Sequence, residues 1–172
     1  MAFACRSCWT EIMTDERQID EVMARYVRAA DFRDPAAMAA LFTEDAIVEI
    51  SYRGRDGLEP LGSLKGAEAI GQAVAGILPP HPARGWSHHT SLNHIIEVDG
   101  DTASVDLHFV NYDVRGDEAP AAGWPEGTYG TQGTITPFES GYVRSELHRA
   151  DGVWKITKFA IMHDLPFVLP GN

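Results

Sequence analysis

Two Asp-Gly steps, Asp99-Gly100 and Asp151-Gly152, are each flanked by runs in which apolar and polar residues alternate. Tight hairpin turns need positive φ, which Gly adopts freely and Asp tolerates, so an Asp-Gly pair between alternating runs is a strong hairpin signal. The steps predict two hairpins. Trp86 to Val98 pairs with Thr102 to Val114, and Glu139 to Arg149 pairs with Val153 to Met162. Between them lies a long Gly-, Pro- and Thr-rich stretch, Arg115 to Pro137, containing Trp124 and Tyr129. A connection that long suits a lid, an arm or an added hairpin.

The residues before the hairpins follow a helical period. Thr14 is placed to cap a first helix, with Asp15 and Glu16 where the helix dipole favours acid. Ile19, Val22, Met23, Tyr26, Val27 and Ala30 then recur at spacings of three and four and form one apolar stripe. Asp34-Pro35 reads as N-cap and first residue of a second, shorter helix burying Met38, Leu41 and Phe42. Residues 46–52 alternate as a strand, Arg53 to Ser63 reads as a loop, and Lys65 to Ile77 as a helix weakened by Gly71 and Gly76. Helices followed by antiparallel hairpins predict an α+β layer with no internal repeat.

The first dozen residues, Met1 to Ile12, hold both cysteines, Cys5 and Cys8, and show no periodicity. Zinc needs about four ligands and the chain offers no second cysteine pair. The segment has no basic start and apolar stretch of a secretory signal. Residues 1–13 are therefore expected to be a disordered leader, with one folded domain over residues 14–172. With 14 basic against 25 acidic side chains, the formal charge is −11, which repels a phosphate backbone and argues against nucleic acid. No apolar run approaches the roughly 20 residues that span a bilayer. The expectation is a cytoplasmic protein held together by packing.

Asp31 extends the buried stripe, four residues beyond Val27. A carboxylate there is costly unless paired, and burial opens its pKa to tuning. The competing reading is that the helix frays and Asp31 faces water or caps the next helix. His88 and His89 open the first long strand, and alternation lets only one of them face a cavity. His89 shares a face with Ser91, Asn93 and Ile95; His88 shares the other with Leu92, His94 and Ile96, so apolarity alone leaves the choice open. On the next strand, Phe109, Asn111 and Asp113 run from a deep apolar end towards a polar mouth. Arg144 suits an anionic or carbonyl-bearing ligand, or else a surface ion pair. His163 is supported by little beyond its position. A metal site built from His88, His94, His108 and His163 lacks an H-x-H pair and a carboxylate at the usual offset, so no metal is expected.

The run A-D-F-R-D-P-A-A-M-A-A-L-F-T-E-D-A within residues 30–46, L-K-G-A-E-A-I at 64–70, H-H-T-S-L-N-H-I-I-E-V-D-G-D-T-A at 88–103 and L-H-R-A-D-G-V-W-K-I at 147–156 together resemble SnoaL-like domains of the nuclear-transport-factor-2-like superfamily. The resemblance implies a cone-shaped curved antiparallel sheet packed against N-terminal helices and enclosing a pocket. Its relatives include scytalone dehydratase, bile-acid dehydratase, hexachlorocyclohexane dehydrochlorinase and polyketide cyclases. By resemblance, Asp31 and His89 match a helix aspartate and a strand histidine that act together, and Asn93 matches a dehydrochlorinase residue four positions on. Tyr26 matches a tyrosine five positions before the aspartate in bile-acid dehydratases. Asp113 falls near a second histidine of scytalone dehydratase, and that enzyme's polar pair on its fourth strand becomes Gly141 and Val143 here.

The resulting expectation is a cofactor-independent lyase or isomerase, of dehydratase or cyclase type, acting on a small hydrophobic, aromatic or polycyclic metabolite. Asp31, His89 and Asp113 would be catalytic, and Tyr26, Tyr52, Asn93, Phe109, Asn111 and Arg144 would bind substrate. The alternatives are a non-catalytic ligand-binding or assembly domain, or the small subunit of a ring-hydroxylating dioxygenase. A homodimer or higher homo-oligomer is implied by the resemblance.

Overall fold

The computed structural model describes residues 13–166, so the leader expected at residues 1–13, with Cys5 and Cys8, lies almost wholly outside the described residues. Helix α1 runs Asp15–Phe32, capped by the Thr14 side chain on the Arg17 N–H. It ends at Arg33, whose left-handed φ of 54° lets its N–H cap the last carbonyls. Asp34 accepts from the Ala37 N–H at 2.9 Å and starts α2, Pro35–Ala39. That helix is shorter than the sequence suggests: Phe42 already belongs to β1, Phe42–Gly54.

Arg53 to Ser63 is not a loop. It turns at Gly57 (φ 133°) into β2, Gly57–Lys65, antiparallel to β1. Leu58, Leu61 and Leu64 are spaced by three, so no two-residue period announces this strand. Pro60 is tolerated because β2 is a sheet edge. Helix α3, Ala67–Ile77, follows. Gly71, which weakens α3 on propensity, is needed by packing, since a Cβ there would sit 2.3 Å from the Pro35 carbonyl oxygen of α2.

The remaining strands are β3 (Gly85–His88), β4 (Leu92–Asp99), β5 (Thr102–Gly116), β6 (Gly133–Ala150) and β7 (Val153–His163). The sheet order is β2-β1-β7-β6-β5-β3, with β4 also on β5, and β1–β7 is parallel whereas the other pairs are antiparallel. Asp151 and Gly152 both have positive φ, as the two central residues of a type I′ turn require. The stretch expected between the hairpins is strand only at its two ends: β5 and β6 stay paired out to Gly116 and Gly133, and residues 117–132 join them without strand structure.

The curved sheet wraps α1, giving a core that includes Ile19, Met23, Met38, Phe42, Val105, Leu147, Ile156 and Phe159. The N-terminal part of α1 is tied to the sheet. Asp15 accepts from Trp154 Nε1 at 3.2 Å, and Asp20 faces His94 Nδ1 at 2.7 Å. Among the described residues no helix is long and apolar enough to cross a membrane.

Candidate active site

The single strand expected over Trp86 to Val98 is broken at residues 89–91. His88 still opposes Tyr112 and Leu92 opposes His108, so the register survives across the gap while His89 to Ser91 leave the ladder. Thr90 fills in for the lost backbone pairing. Its hydroxyl donates to the Val110 carbonyl and accepts from the Val110 N–H at 3.3 Å, and its own N–H faces Asn111 Oδ1 at 3.4 Å. The backbone N–H of His89 finds its acceptor outside the sheet.

That acceptor is Asp31, 8% exposed at the end of the α1 stripe. Oδ1 accepts from the His89 N–H at 2.7 Å and lies 2.8 Å from His89 Nδ1, while Oδ2 lies 3.4 Å from His88 Nδ1. Strict alternation allowed only one histidine to reach inward. The break lets both reach one carboxylate, although only His89 lines the cavity and the His88 side chain is 54% exposed. Burial pushes the Asp31 pKa up, but the side-chain and backbone bonds from His89, the charge on His89 and the bond from His88 together outweigh it and hold the carboxyl below its ordinary value. The Asp31 backbone is fixed as well. Its carbonyl lies 2.7 Å from His81 Nε2 and accepts from the Arg33 guanidinium at 3.2 Å. Arg33 also donates to Ser87 Oγ at 2.7 Å, joining the end of α1 to β3.

His89 stands at the polar end of a cavity of about 160 Å³ enclosed by α1, α3 and the inner face of the sheet. At roughly 10–15 Å³ per water-sized position, this is ample for a small ring compound. Its walls are mainly apolar, including Met23, Val27, Val74, Ile77, Leu107 and Phe159. The polar end carries Tyr26, His89, Thr90, Asn111, Glu139 and His163. Burial, with the charge on Glu139 second, raises the Tyr26 pKa well above its ordinary value, so its phenol stays protonated.

Of the residues expected to bind substrate, Tyr26, Phe109 and Asn111 line the cavity, Asn111 at 4% exposure. The other three, Tyr52, Asn93 and Arg144, do not, and neither does Asp113, expected to be catalytic. Tyr52 donates to Glu59, its opposed residue on β2, and is drawn towards the sheet edge. Asn93 takes φ 54° at the register shift between Leu92 and Ile95 and reaches out to His108 Nδ1 at 3.1 Å. Arg144 is on the outer sheet face, where it pairs with Asp106 at 3.0 Å. Asp113 lies beyond the register shift at Asn111/Tyr112, where the hairpin runs past the cavity, and pairs with Arg115 at 2.7 Å. Among the described residues no cluster of three His, Cys, Asp or Glu side chains is arranged to hold a metal ion.

Glu139 is a charged cavity residue that the sequence did not single out. It accepts from Asn111 Nδ2 at 2.7 Å, and its only sequence signal is its place at the start of an alternating run. His163, 7% exposed, is held below its ordinary pKa by burial, which the charges of Glu139 and Asp164 offset in part. Its ring meets Phe109 edge-on at 5.5 Å, across Gly141, which pairs with both residues. A Cβ at Gly141 would lie 2.8 Å from the Phe109 ring, so the missing side chain there lets these cavity rings meet.

Comparison with solved structures places this architecture among nuclear-transport-factor-2-like, cystatin-like folds. The β subunit of a candidate aromatic-ring-hydroxylating dioxygenase from Novosphingobium aromaticivorans superposes with TM-score 0.62 at 14% identity, covering 87% of this chain and 89% of that one. LinA gives TM-score 0.59 at 20% identity, covering 91% and 90%. A candidate scytalone dehydratase from Novosphingobium aromaticivorans gives 0.57 at 20% identity, covering 87% and 84%. No curated protein matches the chain in sequence. A family model for the SnoaL-like domain matches residues 11–160. With that match running from the start of α1 to the last strand, the chain belongs to the SnoaL-like domain family.

Proposed function

We propose that this protein is a cofactor-independent acid–base enzyme, a lyase or isomerase acting on a small cyclic, largely apolar metabolite. One observation carries the reading: Asp31 Oδ1 holds both the Nδ1 and the backbone N–H of His89, and the His89 ring lines an otherwise mainly apolar cavity. An ionised carboxylate only accepts hydrogen bonds, so Nδ1 carries the proton and Nε2 remains the basic nitrogen. Nε2 removes a proton from a carbon next to a carbonyl. The negative charge that develops on the carbonyl oxygen is stabilised by a hydrogen bond from the Tyr26 hydroxyl, which stays protonated in its buried setting. The imidazolium is stabilised in turn by Asp31. In a lyase reaction the electron pair forms a C=C bond as a neighbouring C–O bond breaks, and the proton on Nε2 leaves with the hydroxyl as water. In an isomerase reaction the same proton returns to a different carbon. His89 serves as both base and acid, since Asp113 is engaged with Arg115 outside the cavity. The resemblance of the fold to a candidate scytalone dehydratase supports the lyase class.

The test pairs activity with tautomer. A panel of hydroxylated ring ketones is screened by mass spectrometry for loss of water and by NMR for isomerisation. Wild type is expected to turn over at least one member, and Asp31→Asn and His89→Ala to lose about 10²–10⁴-fold while remaining folded. Imidazole nitrogen shifts are expected to show His89 protonated at Nδ1 in wild type. Full activity in either variant, or a His89 protonated at Nε2 instead, would overturn the reading.

A further inference from the structure

The charge of the cavity is set by side chains that the Asp31–His89 pair does not use. Asn111 spends one end of its amide on the Thr90 N–H at 3.4 Å and the other on Glu139 Oε2 at 2.7 Å. Its orientation is therefore fixed, with Nδ2 towards Glu139. Glu139 Oε1 makes no hydrogen bond to a described residue, and Glu139 lines the cavity. Among the described residues no Lys or Arg lines it. Arg144, the cation that an anionic ligand would need, is paired with Asp106 on the far side of the sheet.

A ligand carboxylate or phosphate entering this space would give up water and meet the Glu139 carboxylate with no permanent cation to offset it. The field of the whole chain, with its formal charge of −11, opposes it too. A hydroxyl suits the same place, since its O–H can donate to the open oxygen of Glu139 in a charge-assisted hydrogen bond. The ring that carries it fits the apolar walls of Val27, Val74, Ile77 and Phe109.

Resting on the acid–base reading above, we propose that Glu139 is the specificity residue of the cavity: it selects an uncharged ring compound that presents a hydroxyl to Oε1 and rejects the same ring bearing a carboxylate. Glu139 touches the ligand and decides what enters, while the proton transfer belongs to His89.

Isothermal titration of the full chain at neutral pH tests this with a naphthol and a naphthoate substituted at the same ring carbon. Wild type is expected to bind the naphthol about tenfold or more tightly than the naphthoate, whose carboxylate would face Glu139 with no cation beside it. Glu139→Gln keeps the shape but removes the charge, and is expected to bring the ratio to about threefold or less. Glu139→Asp keeps the charge but withdraws the oxygen, and is expected to weaken the naphthol while still rejecting the naphthoate. Equal or tighter binding of naphthoate by wild type, no detectable binding of naphthol, or an unchanged ratio in Glu139→Gln would each overturn the proposal. The readout is binding rather than turnover. Failure of the catalytic reading would leave the naphthol preference intact, and loss of that preference would leave the Asp31 and His89 variants inactive as before.

Discussion

Asp31 is where two opposed effects meet on one side chain. Burial alone would favour its neutral form, yet the bonds and charge of His89, with the bond from His88, favour the ion and prevail. A carboxyl whose folded pKa lies below its unfolded value near 3.8 stabilises the fold at every pH above that value and loses the contribution as pH falls through the folded one. The stability gap between wild type and Asp31→Asn in urea unfolding is therefore expected to be full at neutral pH and to shrink only below about pH 4. His163 works in a higher window. Burial depresses its pKa from 6.5, so the unfolded chain binds a proton there before the fold does, and stability drains away as pH falls from 6.5 towards the folded value. His163→Phe keeps an aromatic ring beside Phe109 and removes that dependence. Its unfolding free energy is expected to vary less than wild type between about pH 6.5 and pH 5.

At the scale of elements, the active-site pair exists because one strand is interrupted. An unbroken Trp86 to Val98 strand would point His88 and His89 to opposite faces. With three residues out of the ladder, the Thr90 hydroxyl bonds β5 in place of the backbone, and both histidines turn to Asp31. The helices give a sharper contrast between propensity and packing. Gly71 and Gly76 look equally unfavourable in α3, but a Cβ at Gly71 would meet the Pro35 carbonyl oxygen at 2.3 Å, while at Gly76 it would meet nothing within 4 Å. Gly71→Ala is expected to cost about 1–3 kcal/mol by forcing α2 and α3 apart. Gly76→Ala is expected to gain about 0.5–1 kcal/mol by narrowing the unfolded ensemble and improving helix propensity. Thermal and denaturant unfolding of the two single variants decides the matter, and equal signs would refute it.

At the scale of the whole molecule, the sheet and helices form an apolar pocket with one polar end, and the paired extension of β5 and β6 projects beyond it. Every residue from 117 to 131 is exposed, and none of them belongs to the core or lines the cavity. Replacing residues 117–132 by an Asn-Gly turn between Gly116 and Gly133 is expected to leave the unfolding free energy within about 1 kcal/mol of wild type, because loop closure changes slowly with length. The His89 tautomer is expected to stay unchanged. A loss of several kcal/mol would mean that the loop carries packing its exposure does not suggest.

The two Asp-Gly hairpins, the α1 stripe and the Thr14 and Asp34 caps were legible along the chain, because each depends on residues a few positions apart. Asp31 stood out for the same reason, as a carboxylate on an apolar stripe. Leu58 to Lys65 was not legible as a strand, since β2 is held by its pairing with β1 rather than by any period of its own. Nor were the break at residues 89–91, the place of Asp113 outside the cavity, or the entry of Glu139 into it. Periodicity records which face a residue takes while a strand stays regular. Where the register shifts or the ladder opens, the face is chosen by partners that lie far off in sequence, and only the assembled sheet supplies them.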